Sequence, residues 1–455
     1  MATTNHQVDS IKIAYIGGGS QGWARRLMYD LALEPRLSGT IALYDINLEA
    51  AKTNEKIGTH ISSLPDATGK WTYEAIPTIE EALKDADFVI ISILPGTFAD
   101  MAKDVHFPEK YGIYQSVGDT VGPGGIRRAV RTIPMFMEIG EHIKRHCPDA
   151  WVINYTNPMS VCTRTLYKAF PQIKAIGCCH EVFETQHLLA SMAEEMLGIT
   201  VENRKDIKVS VTGINHFTWI NEATYQNVDL FPLYAEFAEK NAQTGFEKEQ
   251  GKWEESVFRS SNRVKFDLFR KYRLIAAAGD RHLAEFMPPV YLKNPQTVQN
   301  WKFHLTTVDF RVNDQQRKIA ENEAVFNSDT QVVLEPSGEE GVEILLALLG
   351  VEDLVTNVNF PNKGQIQNLT QGTIVETNAL IRKNSVQPVR TNELPLDVAN
   401  MVNRHILNQE AVIHAVLTKD QNLARNAFVN DPLIAAIPYE DAISLFEEMD
   451  VWQQN

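Results

Sequence analysis

The feature that most constrains this chain is an apolar stretch that runs directly into a glycine-rich turn. Residues 11–16 are nearly all apolar, as expected of a buried parallel strand, and Gly17, Gly19 and Gly22 follow in the spacing G-x-G-x-x-G. A helix is predicted for residues 23–33, immediately after the turn. Glycines at these positions let the backbone approach a pyrophosphate while the N-terminus of the helix points at it. The motif therefore predicts a dinucleotide-binding fold.

An acidic residue stands where such folds place a ligand for the ribose. A second predicted strand, residues 40–44, is followed by Asp45, close to the ~20 residues beyond the glycine turn at which this carboxylate is expected. A carboxylate there accepts hydrogen bonds from both ribose hydroxyls and repels a 2′-phosphate. The sequence therefore favours NAD over NADP. Asp45 can at the same time cap the helix predicted for residues 48–62.

Strands and helices alternate through the first 198 residues, which is typical of a doubly wound parallel sheet. From about residue 199 apolar and polar residues alternate instead, at 209–213 and 218–220, as they do in antiparallel strands. We therefore predict an α/β protein with an N-terminal Rossmann-type domain, residues 1–198. An α+β C-terminal domain, residues 199–455, is expected to provide substrate, metal and oligomer contacts. The other predicted elements are strands at 88–93, 151–154 and 175–179 and helices at 130–145, 314–326 and 397–417.

Composition narrows the class of protein. A chain of 455 residues is too long for one compact core, and its net charge of −15 argues against a nucleic-acid-binding protein, which usually has a basic face. Four cysteines, two of them adjacent, suit a reducing compartment better than a disulfide-stapled secreted protein. No apolar run approaches the roughly 20 residues of a membrane helix, and the first residues lack a signal pattern. A cytoplasmic protein with neither a nucleic-acid nor a membrane partner is expected.

Cys179 and His216 are the candidate metal ligands. Cys179 lies at the end of a predicted strand, at the edge of the sheet where α/β proteins bind ligands, and His216 follows a strand-like run that ends at Gly213. A thiolate and an imidazole both bind divalent metals well. Two protein ligands are too few for a structural zinc site and leave positions open for water or substrate oxygens. Taken singly, Cys179 is better explained as a buried thiol and His216 as a core histidine.

Three further segments concentrate polar residues. Residues 118–125 form a glycine-dense stretch that carries Asp119 and is followed by Arg127, Arg128 and Arg131. Residues 154–158 follow a predicted strand and offer amides to sugar hydroxyls. Residues 279–285 combine a carboxylate, a cation and an imidazole, although the carboxylate, that of residue 280, can also be an ordinary helix N-cap. Binding and catalytic residues occur disproportionately in loops, so these segments are candidates for the functional site.

In order and spacing these segments resemble glycoside hydrolase family 4, the NAD- and metal-dependent glycosidases, which share the fold of the lactate and malate dehydrogenases. The resemblance covers essentially the whole chain. The sequence Cys-His-Glu-Val at residues 179–182 resembles that of the α-galacturonidase subgroup, because the α-glucosidase, α-galactosidase and 6-phospho-glycosidase branches carry other residues after the cysteine. The segments that carry the resemblance are the glycine turn and residues 118–125, 154–158, 179–182, 213–216 and 279–285.

The resemblance implies a mechanism that departs from the two-carboxylate chemistry of most glycosidases. NAD, bound at the glycine turn, takes a hydride from C3 of the terminal sugar. A divalent metal, expected to be Mn²⁺ held by Cys179 and His216, polarises the C2 and C3 oxygens. A base removes the acidified C2 proton, the C1 leaving group is eliminated, water adds, and the hydride returns. The net reaction is hydrolysis of an α-glycoside with retention, and NAD is not consumed.

The resemblance also assigns the proton-transfer roles. Asp280 is expected to be the base, with Tyr272 as the alternative because one branch of the family uses a tyrosine. His180 directly follows the metal-binding cysteine and is expected to be the acid, since the pKa of imidazole lies near neutrality. Asp119 is the alternative acid.

Substrate binding is expected to involve an amide and two arginines. Asn154 is expected to bind sugar hydroxyls. A galacturonate carboxylate requires a bidentate cation, and arginine provides the matching fork. Arg281 and Arg127 are the candidates.

Rival interpretations remain open at the level of sequence. One is an α-glucosidase or α-galactosidase of the same family. Another is a lactate- or malate-type NAD-dependent dehydrogenase, although the chain lacks a clear arginine and histidine pair for a 2-hydroxy acid. A third is a non-catalytic NAD-binding sensor. A homodimer or homotetramer is expected, as in the family.

Overall fold

A single continuous β-sheet passes through both halves of the chain. The computed structural model describes residues 7–247, 252–326 and 333–452. In the N-terminal half the strands are all parallel, in the order β3-β2-β1-β4-β5-β6, which is the doubly wound order of dinucleotide-binding folds. The expected fold class is thereby confirmed. These strands are β1 (Val8–Ile16), β2 (Leu37–Tyr44), β3 (Lys70–Ile76), β4 (Phe88–Ile91), β5 (Trp151–Asn154) and β6 (Lys174–Gly177).

The inner strands of this half are apolar because helices cover both faces of the sheet. Ile13, Val89 and Ile153 on neighbouring strands are completely buried, as expected for a parallel sheet enclosed between two helical layers. The helices are α1 (Trp23–Leu33), α2 (Leu48–Ser62), α3 (Ile79–Leu83), α4 (Phe98–His106), α5 (Gly122–His146), α6 (Met159–Ala169) and α7 (Glu181–Leu197).

The C-terminal half extends the same sheet with antiparallel strands. Asn359 pairs with Gly177 at the junction, and the order continues β11-β12-β7-β8-β10, so the antiparallel pairing expected at residues 209–213 and 218–220 is confirmed. The division into domains at residue 198 stays a prediction. The strands are β7 (Ile207–Ile214), β8 (Phe217–Tyr225), β9 (Val228–Asp229), β10 (Ile275–Ala276), β11 (Leu354–Pro361), β12 (Ile374–Arg382) and β13 (Ser385–Pro388).

Helices of the second half pack around this extension. They are α8 (Phe231–Asn241), α9 (Arg263–Tyr272), α10 (Asp280–Phe286), α11 (Pro295–Asn300), α12 (Val308–Phe326), α13 (Gly341–Leu349), α14 (Leu396–Thr418), α15 (Gln421–Val429) and α16 (Tyr439–Glu448). Across the three described ranges, no helix has both the length and the apolar character that crossing a bilayer requires.

Helix α5 begins earlier than the sequence predicted. The glycine-dense stretch that reads as a loop supplies its first turn, because Gly122 has a positive φ of 71° and Pro123 occupies the position at which proline favours a helix start. The glycines serve close packing: a Cβ on Gly125 would lie 2.4 Å from the carbonyl carbon of Thr120, and one on Gly124 would lie 2.6 Å from the carbonyl oxygen of Asp104. The turn that carries residue 119 is therefore pressed against the start of a long buried helix.

His405 on α14 supports the segment in which the candidate site lies. Its ring packs against Phe217 and Phe286, with centroids 5.9 Å and 4.9 Å away, and its Nε2 lies 2.8 Å from the carbonyl oxygen of Phe286. Phe217 directly follows His216, and Phe286 ends α10. Burial lowers the pKa of His405 to about 4.

We predict that His405 makes folding sensitive to acid. In the unfolded chain its pKa is about 6.5, so between pH 6.5 and 4 the unfolded state binds a proton that the native state does not, and stability falls as the pH falls. The contribution is at most about 3 kcal/mol. Urea unfolding at pH 7 and pH 4.5 should show a smaller loss of stability for His405→Gln than for the wild type. His414→Gln, on the exposed face of the same helix, is the control; equal losses in all three proteins would contradict the prediction.

Candidate active site

The glycine turn has the geometry that its sequence predicts. Gly17 has a φ of 96°, and its amide and that of Gly18 both donate to the carbonyl oxygen of Tyr44, at 2.9 Å and 2.8 Å. A Cβ on Gly17 would lie 2.1 Å from the carbonyl oxygen of Ser92, so only glycine fits there. Gly22 stands at the N-cap of α1 and offers no side chain to cap it. The amides at the start of α1 are therefore left for an anionic group.

Asp45 is held against the glycine turn. Its Oδ2 accepts from the amide of Gly19 at 2.9 Å, and its Oδ1 accepts from the amide of Asn47 at 2.9 Å. The cap of α2 is Asn47, whose side chain accepts from the amide of Ala50, so Asp45 does not cap that helix. The half-exposed carboxylate of Asp45 fits the ribose of a dinucleotide, and the glycine turn beside it fits the pyrophosphate.

Three potential metal ligands meet at the C-terminal edge of the parallel strands. The potential ligand atoms lie within 4.8 Å of one another, and they belong to Asp119, His216 and His282. The two imidazole rings are stacked, with centroids 3.9 Å apart and planes 19° from parallel. Two imidazole nitrogens and a carboxylate oxygen are a donor set that suits several divalent transition metals. We call this set the ligand triad.

Each member of the ligand triad comes from a different part of the chain. Asp119 precedes α5, His216 lies in the turn between β7 and β8, and His282 is in the first turn of α10. Thr120 joins two of them, because its hydroxyl donates to Asp119 Oδ1 at 2.7 Å and lies 3.3 Å from Nδ1 of His216. The Nδ1 atom of His282 is buried and has no hydrogen-bond partner among the described residues.

Burial sets the protonation states of the two histidines of the ligand triad, and neighbouring charges set that of Asp119. Burial, followed by the like charge of His282, lowers the pKa of His216 to about 3, and burial also lowers the pKa of His282. Burial opposes ionisation of Asp119, but the charges of His282, Arg128 and His216 outweigh it and hold the pKa of Asp119 below its usual value. Neutral imidazoles beside a charged carboxylate are the states that bind a cation.

Cys179 lies close to this group but is not part of it. It is half-buried after β6, and its carbonyl oxygen accepts from Nδ2 of Asn357 at 3.2 Å. Burial, with the nearby carboxylates of Glu376 and Glu181, raises the pKa of its thiol. Glu181 connects the two regions, because its Oε1 lies 3.4 Å from Nε2 of His282 and its Oε2 accepts from the amide of Gly279 at 2.6 Å.

Asp280, the expected base, is completely buried at the first residue of α10, two residues before His282. Its oxygens accept from the amides of Val264 and Lys265, at 3.2 Å and 3.1 Å, so it caps α9 rather than α10. Burial raises the pKa of Asp280 to about 6, and the charge of Lys265 opposes this shift. Tyr272, the alternative base, ends α9 and packs edge-on against Trp219, with ring centroids 5.9 Å apart.

His180, the expected acid, lies at the rim of the site, where 38% of its side chain is exposed. Its Nδ1 is 3.4 Å from Oε1 of Glu339, and its ring lies 5.8 Å from that of Trp23. Burial disfavours the charged imidazole, but the Glu339 carboxylate outweighs this effect and raises the pKa of His180. The ring can therefore carry a proton near neutral pH.

Two of the expected substrate ligands are engaged elsewhere. Arg127 donates to the carbonyl oxygen of Met449 at 2.7 Å and to Oδ1 of Asp104 at 2.6 Å. Asn154 is completely buried, accepts from the amide of Thr156 at 3.0 Å and donates to the hydroxyl of Thr163 at 3.3 Å. The structure does not bring either side chain to the ligand triad. Their substrate-binding roles stay predictions, and their contacts favour structural ones.

Arg281, the third expected substrate ligand, does face the site. It follows Asp280 directly, its Nη1 donates to the hydroxyl of Thr306, and its guanidinium lies over the ring of Phe258 at 5.1 Å. The charges of Glu181 and Asp119 both act on it. Arg281 is therefore placed where a substrate anion beside the ligand triad would be met.

Family models match nearly all of this architecture. The model of the family 4 glycosyl hydrolases matches residues 12–195, and that of their C-terminal domain matches residues 211–434. The chain belongs to family 4 of the glycosyl hydrolases. The resemblance found in the sequence motifs is thereby confirmed, and the chain is a glycosidase of that family.

Individual members of the family are similar over their full length. An α-galacturonidase of Bacillus subtilis (strain 168) is 57% identical over 97% of this chain and 97% of its own. The crystal structure of a putative glucosidase from Bacillus subtilis, also 57% identical, covers 97% of this chain and 100% of its own with a TM-score of 0.93. A 6-phospho-α-glucosidase from gut microorganisms, solved with NAD and Mn²⁺, is 18% identical over 97% of both chains and, with a TM-score of 0.78, shows the same fold.

His282 and Glu181 are the site residues that sequence reasoning did not assign. Both lie in segments that carry the family resemblance: His282 is two residues after Asp280, and Glu181 is two residues after Cys179. Their roles depend on the stacking of α10 against the β7–β8 turn, which no local pattern reveals. A signal was nevertheless present, since a histidine in a loop already rich in ionisable residues is a metal-ligand candidate.

We predict that His216 is required for binding of a divalent cation. Manganese titration followed by electron paramagnetic resonance should show at least a roughly 10-fold weaker affinity for His216→Ala than for the wild type. His414→Ala, an exposed histidine on α14, is the matched control and should bind manganese normally. Cys179→Ser and His282→Ala, measured in parallel, assign the remaining ligands. Wild-type affinity in His216→Ala would contradict the prediction.

Proposed function

We propose that this protein is a retaining α-galacturonidase that releases a terminal galacturonate from an α-linked substrate. The observation that carries the proposal is the 57% identity, over 97% of both chains, to the α-galacturonidase of Bacillus subtilis. The Cys-His-Glu-Val sequence at residues 179–182 supports the same subgroup.

The cofactors proposed are NAD and a divalent metal, Mn²⁺ above all. Support comes from the bare glycine turn beside Asp45 and from the ligand triad, and a structure of the same fold was solved with both. His216 is proposed to hold the metal, with Cys179 from the sequence motif and Asp119 and His282 from their proximity as its partners. When bound, NAD accepts and returns a hydride and the metal acts as a Lewis acid.

The chain's own residues are proposed to move two protons. Asp280 takes the proton from C2 of the sugar, and its raised pKa, caused by burial, suits a base that works near neutral pH. Tyr272 is the alternative base. His180 donates a proton to the leaving group at the rim of the site, which its partly exposed ring favours, with Asp119 as the alternative acid.

The setting of the enzyme is proposed to be cytoplasmic, and its assembly a homodimer or homotetramer. Support for a reducing compartment comes from the cysteines of the described chain, since Cys147, Cys162, Cys178 and Cys179 are all free thiols.

The direct test is an assay of nitrophenyl α-galacturonide, α-galactoside and α-glucoside with NAD, Mn²⁺ and a reductant. Fastest turnover of the galacturonide is expected, without net formation of NADH. Preferred turnover of either neutral sugar would replace the proposal with an α-galactosidase or α-glucosidase. Net NADH formation would favour a dehydrogenase.

We predict that Asp280→Asn abolishes exchange of the C2 proton with solvent deuterium, because the amide has no basic lone pair to offer. Mass spectrometry of the product formed in D₂O measures this exchange. The matched control is Asp420→Asn, since Asp420 is also a helix-capping carboxylate, at the start of α15, and its loss should leave exchange unchanged. Exchange at the wild-type rate in a folded Asp280→Asn variant would assign the base to another residue.

A further inference from the structure

Two buried arginines and a half-buried one converge on Asp119 without an ion pair. Arg128 comes from α5, Arg281 from α10 and Arg311 from α12, and the charge of Asp119 acts on all three. Within the described residues no carboxylate oxygen lies within 4.0 Å of any of them, as the ion pairs of the structure show. Arg311 is close enough to Arg128 and to Arg281 for like-charge repulsion to act on both pairs. We call these residues the arginine cluster.

The arginine cluster has few hydrogen bonds of its own. Arg128 donates through Nε to the carbonyl oxygen of Asn157 at 2.9 Å, and Arg281 donates through Nη1 to Thr306. The Nε atom of Arg311 is buried and has no hydrogen-bond partner among the described residues. Buried polar atoms are normally paired, so this nitrogen lacks a partner that a bound ligand can supply.

A neighbouring pair of arginines provides an internal comparison. Arg127 and Arg131, on the same helix as Arg128, both bind Asp104, through contacts of 2.6 Å and 2.7 Å. Asp104 is 1% exposed, so this group is a neutralised, structural one. The fold thus gives Arg127 and Arg131 a carboxylate at ion-pair distance, whereas the carboxylates near the arginine cluster lie farther than 4.0 Å from it.

The charge balance around the arginine cluster is positive. Asp119 is the carboxylate whose charge acts on all three guanidinium groups, and Glu181 also acts on Arg281. Asp104 acts on Arg128 and Asp314 on Arg311, but each of these two carboxylates is paired with two other cations. Glu285 also lies near, but its Oε1 accepts from the amides of Val117 and Gly118, and burial raises its pKa to about 8, so it is mostly protonated at neutral pH. An unpaired buried cation is costly unless an anion arrives to pair with it.

We propose that the arginine cluster is the binding site for the carboxylate of the sugar substrate, and that Arg311 is the residue that selects a uronide over the neutral sugar. This inference rests on the proposed function for the identity of the sugar. It replaces Arg127 with Arg311 and Arg128 as partners of Arg281. A planar carboxylate matches the guanidinium fork through two parallel hydrogen bonds, and a tetrahedral phosphate is the competing anion.

The test is binding of product sugars to the holoenzyme loaded with NAD and Mn²⁺, measured by isothermal titration calorimetry. Arg311→Gln should weaken galacturonate binding by roughly 10- to 100-fold, the effect of one charge-assisted hydrogen-bonded pair. Binding of galactose, which has no carboxylate, should be unchanged. Arg311→Lys keeps the charge but loses the fork, and it should bind galacturonate with intermediate affinity.

Thermal denaturation of the ligand-free variants separates this role from a structural one. Removing an unpaired charge that repels Arg128 and Arg281 should leave the melting temperature of Arg311→Gln unchanged or higher. Arg317→Gln is the matched control on the same helix, because Arg317 is exposed and paired with Asp314 and Glu321. It should bind both sugars as the wild type does.

Three results would overturn the inference. The first is unchanged galacturonate affinity in Arg311→Gln. The second is an equal loss of galactose and galacturonate binding. The third is tighter binding of galactose 6-phosphate than of galacturonate by the wild type. If instead the wild type cleaves no α-galacturonide but binds galacturonate through Arg311, the proposed function fails and the carboxylate site stands.

Discussion

The stacking of His216 on His282 is the contact on which the rest of the site depends. It joins the turn between β7 and β8 to the first turn of α10, and the Asp119 carboxylate is the third potential ligand beside the two rings. Burial keeps both imidazoles neutral and so preserves their lone pairs for a cation. The ring of His405 and its neighbours Phe217 and Phe286 form the apolar layer beneath, so the ligand atoms stand on packed side chains rather than on a free loop.

Charge is distributed unevenly around this stack. On one side Cys179 faces the carboxylates of Glu181 and Glu376, which disfavour its thiolate in the absence of a cation. On the other side the three guanidinium groups of the arginine cluster have no carboxylate of the described residues at ion-pair distance. A divalent cation on the first side and an anionic sugar on the second would relieve both imbalances. The two ligands that the site is proposed to bind therefore have opposite charges and adjacent positions.

The sequence predicted most of the N-terminal half because its signals are local. The helix at Trp23–Leu33 and the strand at Trp151–Asn154 were predicted at their observed bounds, since a glycine turn and a short apolar run mark them. The start of α5 was not, because the glycines at its start serve close contacts with residues far away in the chain. Site residues were likewise predictable where the signal is local. Asp119 and His216 were selected from motifs in the sequence, whereas the roles of His282 and Arg311 depend on how α10 and α12 pack.

Anomalous diffraction at the manganese edge, from crystals of the protein grown with NAD and Mn²⁺, tests this account most directly. The account predicts one strong peak within bonding distance of His216, beside Asp119, His282 and Cys179. A manganese ion bound elsewhere, with no bond to His216, would contradict it.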